Sequence, residues 1–173
     1  MKMVRYMKFL LCGAILAIPG CNKATPDGPC DIYQAHEVEC VAAHSTTRAL
    51  YSKYNGPLYQ VVRESDGKKL DIGTVPGGYA DAAARDAFLE GTIGYISIIY
   101  DQTGHGNDLT QAPPGTFKGP AKGEFNTLPI ADMAPIVLNG HKVYGAYFMP
   151  GMGLRNNNAS YLAINDEPEG MYY

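Results

Sequence analysis

The stretch Leu58–Ile72 reads LYQVVRESDGKKLDI, and its reading decides the fold class. Tyr59, Val61 and Arg63 alternate with Leu58, Gln60, Val62 and Glu64, which is the period of two expected of a strand. Ser65-Asp66-Gly67-Lys68 then supplies turn residues and Lys69–Ile72 a return strand, so the unit is a β-hairpin. A second hairpin follows the same logic: Ile136-Val137-Leu138, the turn Asn139-Gly140, then Lys142 to Phe148. Asn-Gly favours the type I′ turn, whose twist matches its strands. Between the hairpins, Thr92–Tyr100 (TIGYISIIY) is rich in β-branched and aromatic residues and apolar on both faces after Gly94. That pattern suits a strand buried inside a sandwich.

Helical signals are fewer. Ala80–Glu90, ADAAARDAFLE, has Asp81 as a cap, helix-favouring alanines and Gly91 as a stop. Ser45 or Thr46 caps a short expected helix over Thr47–Tyr54, ended by Asn55-Gly56-Pro57. The run Gln111–Met133, broken by four prolines and three glycines, reads as surface loop. With 20 glycines, 12 prolines and 13 tyrosines among 173 residues, the composition agrees with short strands and many turns. The expected class is all-β with one or two short helices.

Met1–Cys21 has the layout of an export signal: Lys2, Arg5 and Lys8 precede an apolar run from Phe9 to Ile18 that is too short to span a bilayer. Ile18-Pro19-Gly20-Cys21 resembles a bacterial lipobox with Cys21 as the lipidated residue, although Pro19 is not the commonest choice there; the alternative is an ordinary signal peptide cut nearby. Asn22–Pro29 reads as a tether, and domain structure begins near Cys30. Without the leader's three cations, 11 Lys and Arg face 17 Asp and Glu, and the formal balance moves from -3 to -6. An acidic exported domain without basic clusters argues against a nucleic-acid partner. Cys30 and Cys40 are then the remaining cysteine pair of the mature chain; in an oxidising compartment they form a disulfide, or else stay as two free thiols.

Most catalytic motifs are absent: there is no His-Glu-x-x-His, Gly-x-Ser-x-Gly, Walker loop or Cys-x-x-Cys. Tyr100–Gly115, YDQTGHGNDLTQAPPG, concentrates Asp101, Asn107 and Asp108 but fails the EF-hand pattern at its third and fifth positions. Asp101, Asn107 and Asp108 either meet around a calcium ion in another geometry, or Asp101 and Asn107 bond nearby backbone N–H groups in Asx turns with Gly104 and Gly106 at positive φ; the turn reading carries more weight. Spacing along the chain selects no pair of carboxylates for glycosidase chemistry.

Five segments carry a resemblance: GPCDIY at Gly28–Tyr33, CVAAHSTTRALY at Cys40–Tyr51, YNGPLYQV at Tyr54–Val61, IIYDQTGHGNDLTQAPPG at Ile98–Gly115 and EGMY at Glu169–Tyr172. Together they resemble the catalytic domain of the α-L-arabinofuranosidase B family, glycoside hydrolase family 54. The resemblance implies a concanavalin A-like jelly-roll β-sandwich in an exported enzyme. Such an enzyme removes terminal α-L-arabinofuranosyl groups from arabinose-containing plant polysaccharides by a retaining Glu and Asp mechanism, with no metal or organic cofactor. It also implies the Cys30–Cys40 disulfide. A second family disulfide falls at Leu89 and Gly94, where both cysteines are replaced, a lost local staple that should leave the fold unchanged. The resemblance further implies that residues 30–173 are the N-terminal part of that sandwich. The nucleophilic Glu, the acid/base Asp and an adjacent-cysteine pair would then lie beyond Tyr173, and no catalytic residue carries over to this chain. The ending Gly-Met-Tyr-Tyr reads as the start of another strand. The alternative expectation is a surface lipoprotein that binds glycans without cleaving them, or an inactive gene fragment.

Overall fold

The computed structural model describes residues 28–116 and 119–173. The leader with Cys21, and the tether before Gly28, lie outside the described residues. The described part opens on an unexpected helix, α1 (Pro29–Ala35), so the last tether residue, Pro29, belongs to the domain. Pro29 occupies the first helical turn, and the Asp31 carboxylate accepts hydrogen bonds from the Gly28 N–H at 2.7 Å and from the Ser52 N–H at 2.6 Å.

The leading hairpin forms as expected from β1 (Tyr59–Arg63) and β2 (Lys69–Ile72), and Gly67 turns at φ 68°. After α2 (Ala82–Phe88), β3 (Gly94–Ile99) pairs with the other side of β1, and β4 (Leu109–Gln111) pairs with β3. A second hairpin, β5 (Pro135–Leu138) and β6 (His141–Tyr144), turns through Asn139 at φ 49° and Gly140 at φ 83°, the double left-handed geometry expected of Asn-Gly. Its return strand ends at Tyr144 rather than Phe148. The two-residue β7 (Leu154–Arg155) closes an antiparallel five-stranded sheet in the order β2-β1-β3-β4-β7, and β5-β6 form a separate sheet.

A bulge in β3 sets the core. Val61 stands opposite Ile96 while Gln60 stands opposite Ile98, so Ser97 is the extra residue. The bulge reverses the alternation, and Ile96 and Ile99 both turn inward with Tyr59 and Val61. Only one face of β3 is fully buried; Tyr95, Ser97 and Ile98 on the other are half covered. Val143 of β6 and Leu89 after α2 join the same core, so the two sheets share it.

Two expectations need correction. Residues 47–54 form turns rather than a helix, because their backbone is engaged by distant partners: Ala49 N–H donates to Gly78 O at 2.7 Å, and Ala80 N–H to Thr47 O at 2.9 Å. The cap signal was real, since Ser45 Oγ accepts from the N–H groups of Thr47 and Arg48, but it closes a turn. The run Gln111–Met133 is not all surface loop. Ile96 N–H donates to Pro129 O and Ala131 N–H to Gly94 O, which lays residues 129–131 along the start of β3 and buries Pro129 and Ala131.

α2 follows the sequence closely: the Asp81 carboxylate accepts from Ala84 N–H at 2.9 Å and Gly91 turns at φ 72°. It brings Leu89 against Gly94. A Cβ on Gly94 would lie 3.0 Å from Leu89 Cγ and closer still to both Leu89 methyl carbons. An isobutyl group therefore fills the space at the two positions where the resemblance implies a cystine.

Candidate functional site

The loop after β3 is heavily hydrogen-bonded. The buried Asp101 carboxylate accepts from the backbone N–H groups of Ala43 (2.9 Å), Thr103 (3.1 Å) and Asn107 (3.1 Å) and from the Thr103 hydroxyl (2.6 Å). Burial alone would raise its pKa, but the hydrogen bonds from Thr103, Ala43 and Asn107 outweigh that and lower it. Asp108 in turn accepts from Asp101 N–H at 2.8 Å. Gln102 Oε1 accepts from Leu50 N–H, and Asn107 Nδ2 donates to Val41 O and Ser160 O. Gly104 and Gly106 lie at φ 85° and 77°. The Asx-turn reading of this loop holds for Asp101, which accepts from Thr103 N–H, but not for Asn107, whose amide instead ties the loop to Val41 and Ser160. Among the described residues no three His, Cys, Asp or Glu side chains are grouped so as to hold a metal ion.

A second polar cluster, which no sequence signal marked, joins α2 to β6. The Asp86 carboxylate accepts from Arg85 Nη1 (2.7 Å), Lys142 Nζ (2.7 Å) and the Tyr144 hydroxyl (2.8 Å). Burial opposes its charge, yet Lys142, Arg85 and Tyr144 hold its pKa down to about 2. Arg85 is buried, and its guanidinium carbon lies 3.7 Å from the Tyr144 ring centroid. The displaced carboxylates, Asp66, Asp86 and Asp101, all move downward, opposite to what a general acid at neutral pH requires.

Cys30 and Cys40 are bonded, with Cα atoms 5.7 Å apart, which pins α1 to the irregular segment whose Ala43 N–H the Asp101 carboxylate holds. This disulfide borders a groove of about 770 Å³ between Tyr33, Val38 and His44 on one side and Tyr161–Tyr172 on the other. Tyr161 lies tilted by 32° against His105, with ring centroids 4.4 Å apart, and Tyr172 meets Tyr33 edge-on at 6.4 Å. A second groove of about 550 Å³ runs between β4 and residues 155–158, with Phe125 at its side. Neither groove was visible in the sequence, because each is assembled from segments far apart along the chain.

A family model described as "Alpha-L-arabinofuranosidase B, catalytic" matches residues 29–173. Alpha-L-arabinofuranosidase B of Emericella nidulans is 60% identical over 146 residues, covering 84% of this chain and 29% of that protein. The Alpha-L-arabinofuranosidase of Hypocrea jecorina is 53% identical over 166 residues, covering 94% and 33%. A crystal structure of an arabinofuranosidase complexed with arabinofuranosyl-alpha-1,2-xylobiose superimposes with a TM-score of 0.77 at 54% identity, over 81% of this chain and 29% of that one. A glycoside hydrolase family 54 structure soaked with a cyclic sulfate inhibitor gives the same values. The chain thus spans 29% to 33% of the length of these relatives, matches their N-terminal portion and shares their β-sandwich fold. It belongs to the catalytic-domain family of alpha-L-arabinofuranosidase B.

Proposed function

We propose that this chain is part of an exported glycoside hydrolase that releases terminal α-L-arabinofuranosyl groups from arabinose-containing plant polysaccharides such as arabinan and arabinoxylan. The carrying observation is the match of residues 29–173 to the family's catalytic domain, with 60% identity to a named α-L-arabinofuranosidase. In the proposed retaining reaction a Glu carboxylate attacks the anomeric carbon as an Asp protonates the departing glycosidic oxygen. The same Asp then takes a proton from water, which displaces the Glu and frees arabinose. Both residues are proposed to come from polypeptide outside these 173 residues. The engagement of Asp86 and Asp101 by three and four donors supports that reading. We assign the Cys30–Cys40 disulfide an anchoring role, Cys21 lipid attachment at the cell surface or in the periplasm, and nucleic acid no role as partner.

The test is arabinose release from 4-nitrophenyl α-L-arabinofuranoside. A gene product extended over the full family length should release nitrophenol, and the 173-residue chain alone should not. Turnover by the short chain would overturn the placement of the catalytic pair; inactivity of the extended product would overturn the enzymatic reading in favour of a glycan-binding lipoprotein. Metabolic labelling with a fatty acid, lost on Cys21→Ser, tests the anchor.

A further inference from the structure

The groove between β4 and residues 155–158 has no assigned role, and its surface chemistry is specific. Phe125 stands at its side 57% exposed, an apolar disc among polar neighbours that its own burial does not explain. The polar side chains around it keep unspent hydrogen-bonding capacity. Asn157 makes no side-chain hydrogen bond among the described residues, and Gln111 uses only its Nε2, donating to Asn126 O at 2.8 Å. Arg155 donates from Nη2 to Pro113 O at 2.9 Å, while its Nε is buried without a partner. Asp108 spends Oδ1 on the Asp101 N–H.

We propose that this groove binds a neutral saccharide chain. Planar amide, carboxylate and guanidinium groups pair with vicinal hydroxyls two at a time, and an exposed aromatic face packs the C–H side of a sugar ring. The single carboxylate of Asp108 balances the single guanidinium of Arg155, which removes the net charge that would select a phosphate or an acidic glycan. At about 550 Å³ and open along its length, the groove suits a chain lying across it rather than a buried monosaccharide. The identity of the saccharide as the backbone of an arabinose-bearing plant polysaccharide rests on the proposed function; the groove's preference for a neutral polyol does not.

The experiment titrates the full chain with linear xylohexaose in one arm and linear arabinohexaose in the other, following backbone amide resonances. Saturable shifts at Thr110, Gln111 and Asn156–Asn158 in either arm are expected, and the stronger arm names the backbone. Phe125→Ala should weaken binding about fivefold or more. If that variant unfolds, Asn157→Ala, at an exposed side chain without partners, should weaken it in the same direction. No saturable shift at about 10 mM of either sugar, shifts confined to other residues, or unchanged affinity in a folded variant overturns the proposal. The small chromogenic substrate of the activity test does not need this groove. Nitrophenol release by the extended product without oligosaccharide binding by this chain therefore sinks the groove alone, and binding by this chain with no release by the extended product sinks the enzymatic reading alone.

Discussion

Around Asp101 four donors converge on one buried carboxylate, in a loop whose sequence is broken by glycines and shows no periodicity. Across the molecule, the β5–β6 hairpin has the clearest local signal in the chain, yet it leaves Val137 74% exposed and Ile136 exposed beside it. The irregular segment is tied into the fold by contacts some 58 to 66 residues away in sequence, and β6 is tied in likewise through Val143 in the core and through Lys142 and Tyr144 on Asp86, whereas β5 leaves an apolar face uncovered. Local regularity and tertiary engagement are thus separate properties, and changes at the two places should have very different costs.

The largest effect is expected at the loop. Asp101→Ala removes the acceptor from three backbone N–H groups, of which those of Ala43 and Asn107 are deeply placed. Stranding them should cost about 3–5 kcal/mol in urea unfolding of the full chain. A loss below about 1 kcal/mol would mean that water takes over the carboxylate's role, and the contrast between the regions would collapse.

The next effect tests a join that neither region contains. Gly94→Ala drives a Cβ into Leu89 and should cost about 2–3 kcal/mol. Leu89→Ala alone opens a cavity at a nearly buried position, for about 2–3 kcal/mol. In the double variant the new methyl enters the space the leucine leaves, so the combined cost should fall short of the sum by about 1 kcal/mol or more. Simple additivity in thermal unfolding would show that the two positions do not share one space.

How far the sequence could be read follows from the same distinction. The β1–β2 and β5–β6 hairpins and α2 were legible because their determinants are local: a period of two, Asn-Gly, and an Asp cap ahead of alanines. The helix expected over 47–54 carried equally local signals and lost to the hydrogen bonds that Ala49 N–H gives to Gly78 O and that Thr47 O takes from Ala80 N–H. Helix α1 was missed although Pro29 in its first turn and Asp31 reaching back to Gly28 were there to find it. The Cys30–Cys40 bond was legible from compartment and count. The Arg85–Asp86–Lys142–Tyr144 cluster and both grooves were not, because they exist only once strands and loops far apart in sequence have met.

That cluster sets a smaller, pH-dependent effect. Asp86 has a folded pKa of about 2, below the ordinary carboxylate value, so its contribution is full above about pH 4 and is lost as pH falls toward 2. Its side chain is 36% exposed, and solvent screening limits the contribution to about 1 kcal/mol. Asp86→Asn should flatten the acid limb of stability against pH between about 5 and 2 while changing little of its shape above 6. An unchanged acid limb would mean that the other depressed carboxylates, Asp101 and Asp66, carry the acid sensitivity without Asp86.

The smallest stability effect belongs to the hairpin. Val137→Lys places a charge on a strand side chain that touches mostly solvent, and should move the unfolding midpoint by less than about 0.5 kcal/mol. Its effect on association should be larger. An apolar strand with its outer edge unpaired offers both a greasy face and free backbone groups to another chain, and lysine opposes that pairing. Light scattering against concentration should therefore show less self-association in the variant than in the parent at equal stability. A stability loss comparable to that at Asp101 would mean that Val137 is packed in solution, and that β5 is as engaged as the loop.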